Sequence, residues 1–152
     1  MDTKQFEAPM RVAFELASQA GRQGDVPVGA VVLNPAGKII GQGFNTREAL
    51  NNPLGHAEVN ALIAASQDLA NWRLDDCTIV VSLEPCTMCA GAIVQSRIGR
   101  LVFGAFDDKA GAVGSLWDVV RDSRLPHRPE VISGVLAAEA ANQLSEFFKE
   151  KR

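Results

Sequence analysis

The chain has 152 residues, 15 Lys plus Arg against 18 Asp plus Glu for a formal net charge of −3, and three Cys. At this length a chain buries roughly 68–70% of the surface that its unfolded form exposes, so a single domain over 1–152 is expected, with a core that needs no disulfide staples. A composition of 47% hydrophobic and 22% charged residues excludes a disordered or fibrous chain; no apolar run approaches the ~20 residues of a membrane span, and no secretion signal opens the sequence, so a cytoplasmic address is expected.

Elements follow in chain order. Phe6, Met10, Ala13, Phe14 and Ala17 recur at helical spacing and are closed by Gly21 and Gly24, which predicts an amphipathic first helix. Val28 to Leu33 is a continuous apolar run, Asn34-Pro35-Ala36-Gly37 supplies turn residues, and Lys38 to Phe44 extends again: a hairpin. After a polar loop, Val59, Leu62, Ile63 and Leu69 predict a second helix with those residues as its apolar stripe. Thr78 to Leu83 reads as a buried strand, and Pro85 stands where a helix through Cys86, Cys89, Ile93 and Val94 begins. Leu101–Phe103 and Glu130–Ile132 are further strands, and Leu136 to Phe148 is a closing helix. Buried strands separated by helices imply an α/β fold with helices on both faces of a mixed sheet.

Chemistry concentrates in His56-Ala57-Glu58 and, thirty positions on, Pro85-Cys86-Thr87-Met88-Cys89. Both segments open predicted helices. Cys86 and Cys89 share one helix face and converge on one ion, and a helix N-terminus favours the thiolate that a metal needs. One His and two Cys give Zn²⁺ three protein ligands, leaving its fourth position for water. Glu58, unligated and two residues past the His, is placed to carry protons between water, substrate and leaving group. His-x-Glu with Pro-Cys-x-x-Cys is the signature of the zinc deaminases. Cys-x-x-Cys alone also fits a redox pair or a structural zinc site. Cys77, before a predicted strand, reads as a core thiol, and Trp72 and Trp117 read as core or interface aromatics.

Beyond the signature, Leu83-Glu84-Pro85-Cys86-Thr87-Met88-Cys89-Ala90-Gly91-Ala92, Ser96-Arg97-Ile98-Gly99-Arg100, Gly114-Ser115-Leu116, Val26-Pro27-Val28-Gly29-Ala30-Val31 and Phe147-Phe148 resemble the bacterial tRNA-specific adenosine deaminases, over nearly the whole chain. The resemblance implies a three-layer α/β/α cytidine-deaminase-like fold with a central five-stranded mixed sheet. It also implies one zinc per subunit, a homodimer, and hydrolysis of the wobble adenosine of an arginine tRNA to inosine in the anticodon stem-loop. By position it implies that Asn45 bonds the flipped-out base, that Val28, Ala57, Glu84 and Pro85 border the substrate, and that Asp107 contacts the target nucleotide. Candidate RNA contacts are Lys109, Phe147, Phe148, Lys151 and Arg152, while Phe106 and Ala110 depart from the family pattern.

Charge by itself argues less. Residues 97–152 hold nine Lys plus Arg and eight Asp plus Glu, against six and ten in residues 1–96. The basic balance therefore sits toward the C-terminal part, where Arg121, Arg124, Arg128, Lys149, Lys151 and Arg152 are candidates for a local phosphate-contacting patch, against the plainer reading of a solvated mixed-charge surface. Two other functions stay open: a free-base or nucleoside deaminase acting on cytosine or guanine, and a non-catalytic binding module stabilised by zinc.

Overall fold

A computed structural model describes residues 2–151 of the chain. After a 3₁₀ turn at Lys4–Phe6, the order is α1 (Glu7–Arg22), β1 (Gly29–Leu33), β2 (Ile39–Phe44), α2 (Ala57–Leu69), β3 (Thr78–Leu83), α3 (Thr87–Gln95), β4 (Arg100–Ala105), β5 (Glu130–Ile132) and α4 (Ala137–Glu150). These match the elements expected from periodicity, with shifts of a residue or two at their ends.

The strands form one sheet in the order β2-β1-β3-β4-β5. β1 is antiparallel to both β2 and β3, whereas β3, β4 and β5 run parallel. Helices cover both faces, giving the expected three-layer α/β/α sandwich. α1 and α4 lie together on one face: Arg11 pairs with Glu139 at 2.8 Å, and the Gln143 side-chain amide donates to the Phe14 carbonyl. Met10, Leu16, Val31, Val80 and Val102 form the core there. α2 and α3 cover the other face over Val32, Ile79, Ile93, Leu101 and Phe103. Buried on both sides, β1, β3 and β4 read as unbroken apolar runs, as inner strands of such sheets do.

α2 does not bury the stripe expected of it. Its core side is Ala57, Ala61, Leu62 and Ala65, while Ile63 and Leu69 face out. Small residues decide this, because Gly41 and Gly43 of β2 let the alanine face lie directly on the strand. Across the sheet the same device recurs at Gly29, where an added methyl would run into the α1 backbone at Ala13 and Ala17.

The topology gathers one edge of the sheet. β3 and β4 both end there, at Leu83 and Ala105; β1 starts there, and β2 ends there, with Gly29 opposite Phe44. Val28, Asn45, Glu84 and Phe106, remote in sequence, are therefore neighbours at the edge where α2 and α3 begin.

Because helix and strand backbones meet at Gly29, Gly29→Ala is expected to destabilise the protein by about 3 kcal/mol, the cost of a strongly overpacked core position. A urea titration checks this through a lowered midpoint at unchanged slope.

Candidate metal centre and active site

His56 is the residue at which α2 starts, and Cys86 the one at which α3 starts; both have extended backbone, and neither side chain caps its own helix. Instead the two side chains turn toward each other. Cys86 Sγ lies 3.6 Å and Cys89 Sγ 3.5 Å from His56 Nδ1, and the three donor atoms all fall within 4.8 Å of one another. Asn45 takes the capping role that His56 gives up: its side-chain oxygen accepts from the Ala57 N–H at 2.9 Å, and its amide donates to the Val26 carbonyl at 2.9 Å.

The local electrostatics suit a cation. The Cys89 thiol hydrogen-bonds to Cys86 and, together with His56, holds the Cys86 thiol down to about 4. The same bond, with burial, pushes the Cys89 thiol up, and Cys86 raises His56. A dication would take the place of the protons these groups share, since a metal requires deprotonated thiols and neutral imidazole. Two sulfurs and one ring nitrogen at this spacing fit Zn²⁺ by ligand type and by distance.

Glu58, 4% exposed, is on the first turn of α2. Burial pushes its carboxyl up to about 7, so near neutral pH it both takes and returns a proton. His56, Glu58 and Cys86 line a cavity of about 370 Å³, with Val28, Asn45, Leu83, Glu84 and Asp107 around its wall and Arg47, Phe147, Phe148 and Lys151 at its mouth.

The cytidine and deoxycytidylate deaminase zinc-binding region matches residues 3–105, which span this cluster. The chain belongs to that deaminase family. The deaminase is 49% identical over 146 residues to the tRNA-specific adenosine deaminase of Haemophilus influenzae, covering 96% of this chain and 84% of that protein. It is 45% identical over 149 residues to the Bacillus subtilis protein of the same name, covering 97% and 91%. Among solved structures, one from a study of A-to-I editing by tRNA:A34 deaminases at the wobble position superposes with a TM-score of 0.83. It is 39% identical, with 90% of this chain and 98% of that chain covered. The deaminase is thus an enzyme of the zinc type, and His56, Cys86 and Cys89 are the residues positioned for its ion.

The remaining expected residues separate. Val28, Asn45 and Asp107 reach the cavity wall. Ala57 and Pro85 are buried beside it, the Pro85 carbonyl accepting from the Ala112 N–H at 2.8 Å. Glu84 is buried with both carboxylate oxygens engaged by the loop after β4. Burial alone would raise it, but those donors, led by the Ser115 hydroxyl, hold it below the usual carboxylate range. Lys109 is exposed on that loop, outside the cavity lining. Phe147 is half-buried and Phe148 exposed, their rings edge to face at 5.4 Å, and the Lys151 ammonium lies 5.4 Å from the Phe147 ring. Arg152 lies outside the described residues.

Three expectations change. Trp72 and Trp117 are not core residues, being 59% and 55% exposed. Arg121 and Arg124 are engaged with Asp118 and Asp122 at 2.6 Å, which neutralises two members of the supposed C-terminal patch. The cavity mouth takes its positive charge from Lys151 and from Arg47, which no motif had marked. Asp25 was also missed: buried at the cavity, it accepts from the Glu48 and Ala49 N–H groups at 2.8 and 3.1 Å and so ties down the loop carrying Arg47. A lone acid before an apolar run carries no sequence signal for that role.

Cys86→Ala and Cys89→Ala are each expected to lower bound zinc at least about tenfold from one per chain, as loss of one ligand in three implies. Elemental analysis after gel filtration measures it; full metal content in either variant would refute the ligand set.

Proposed function

We propose that this deaminase hydrolyses adenosine to inosine at the wobble position of a tRNA anticodon, that of an arginine tRNA, in the cytoplasm. The observation that carries the reading is a cavity lined together by His56, Cys86 and Glu58 and by Arg47, Phe147, Phe148 and Lys151, with the fully buried Cys89 completing the ligand cluster. The similarity at 49% and 45% identity to proteins named for tRNA adenosine deamination supports the substrate.

Zinc at His56, Cys86 and Cys89 supplies the Lewis acidity that makes water a nucleophile near neutral pH. The side chains do the rest. Glu58 accepts a proton as water adds to C6 of adenine and passes it to the neighbouring ring nitrogen; it then takes the remaining proton of the new C6 hydroxyl and delivers it to the departing nitrogen, so that the C6–N bond breaks, the C6 carbonyl forms and ammonia leaves. Val28 and Asn45 flank the base, the Asn45 amide retaining one N–H beyond those it uses on the backbone. Asp107, on the cavity wall, contacts the target nucleotide, and at the rim Phe148 and Lys151 meet the flanking ones: exposed aromatics stack on unpaired bases, and cations meet phosphates. A cavity this narrow takes a base already splayed from its stack, which an anticodon loop presents and a duplex does not.

The enzyme is further proposed to work as a homodimer through the outer face of α2 and α3. Ile63, Leu69 and Trp72 are exposed there, and with Leu62 and Ala92 most of them border an open apolar groove. A contiguous apolar surface of that kind marks an interaction site.

Incubation with total tRNA should produce inosine at one mapped anticodon position, and Glu58→Ala should lower the rate about 10²–10⁴-fold with zinc retained. Turnover confined to free cytosine, guanine or adenosine would overturn the tRNA reading, and no ammonia from any substrate would leave only a binding module. For the dimer, sedimentation equilibrium should give twice the chain mass, with Ile63→Asp shifting it to the monomer.

A further inference from the structure

Glu84 has no part in the chemistry above, yet it is 2% exposed and stands between the end of β3 and the first cysteine ligand. One of its carboxylate oxygens accepts from the Asp107 N–H at 3.0 Å and from the Ser115 hydroxyl; the other accepts from the N–H groups of Val113 and Ser115 at 3.0 and 3.1 Å. Every donor belongs to the segment 107–115 that follows β4. That segment belongs to no strand: its other backbone bonds are turns within itself and isolated bridges, among them Gly111 with Cys86 and Val113 with Asp118, and the Ala112 N–H reaches the Pro85 carbonyl. A carboxylate therefore does here part of what a neighbouring strand does elsewhere, taking up the buried Val113 N–H and the half-buried ones of Asp107 and Ser115. The fit is close enough that a methyl group on Gly111 would overlap both carboxylate oxygens. Two members of the segment, Asp107 and Ala110, line the cavity.

We propose that Glu84 is a positioning residue: its carboxylate sets the 107–115 loop as a fixed wall of the substrate cavity, in register with Cys86, and the loop, not Glu84, meets the RNA. Four donors from one loop occupy both of its oxygens, so the carboxylate is turned to the loop and not to the substrate. That arrangement ties the cavity wall and a metal ligand to adjacent positions of the chain. The loop's role in binding RNA rests on the tRNA reading; the anchoring of the loop does not.

Glu84→Gln is the decisive variant, because it keeps the shape but turns a donor against backbone donors. The zinc-loaded variant should show faster hydrogen exchange at the Asp107, Val113 and Ser115 amides than wild type, with the sheet amides unchanged. With an anticodon stem-loop substrate its KM should rise about tenfold and its kcat change by less than about threefold, the mark of lost binding geometry and not of lost chemistry. If that variant does not fold, Ser115→Ala removes only its hydroxyl donor and should give a smaller rise in KM of the same kind, and Gly111→Ala should match Glu84→Gln by crowding the carboxylate from the other side. Wild-type enzyme that makes no inosine would sink the tRNA reading alone, since exchange in the free protein still tests the anchor. Loop amides as protected as in wild type, or a loss confined to kcat, would overturn the proposal.

Discussion

Two helix N-termini converge on one point, and the rest of the molecule is arranged to hold them there. α2 starts at His56 and α3 at Cys86, so the free N–H groups and positive dipole ends of both helices face the same small volume. That field favours thiolates, which explains why sulfur ligands are sited at a helix start, and it is neutral imidazole and thiolate that a zinc ion selects. The arrangement also has a cost: residues used as ligands do not cap their own helices. Asn45 meets part of that cost for α2 by accepting the Ala57 N–H, which makes one side chain both a structural cap and a wall of the substrate cavity.

Bringing the helices to that point depends on how near they lie to the sheet. The alanine face of α2 rests on β2 at Gly41 and Gly43, and α1 rests on β1 at Gly29. Close backbone approach takes the place of large apolar side chains here, and Ile63 and Leu69 of α2 are left on its outer face. Pairing in the sheet does the remaining work. Because β3 and β4 are parallel while β1 and β2 are antiparallel to each other, loops from four strands open on one edge, and a cavity forms where they meet the helix starts.

Buried carboxylates organise the rim. Glu58 is pushed up to about 7 by burial, since few partners compensate its charge, and this suits it to proton transfer. Asp25 and Glu84 are as deeply buried but are surrounded by N–H donors from the loops at 46–50 and 107–115. The same residue type thus serves chemistry in one place and architecture in two others, and the number of donors around each decides which. The rim they shape carries its cations at Arg47 and Lys151, so the acidic total of the chain says little about its capacity to bind a polyanion.

The local content of this protein was legible in its sequence. Periodicities of 2 and 3.6 and the placement of Gly and Pro marked each helix and strand, because those signals report backbone preferences that act over a few residues. His56-x-Glu58 and Pro85-Cys86-x-x-Cys89 marked the three-donor cluster and the buried carboxylate that shares its cavity, since ligand chemistry restricts both residue type and spacing. Tertiary structure alone decided which face of α2 is buried, that Trp72 and Trp117 lie outside the core, and that Asp25 and Glu84 hold the cavity's loops. Each of these depends on which distant segments pack against one another, a property of strand order and helix approach that no local pattern of residues encodes; the pairing of Arg121 and Arg124 with acids two and three residues away is, by contrast, local.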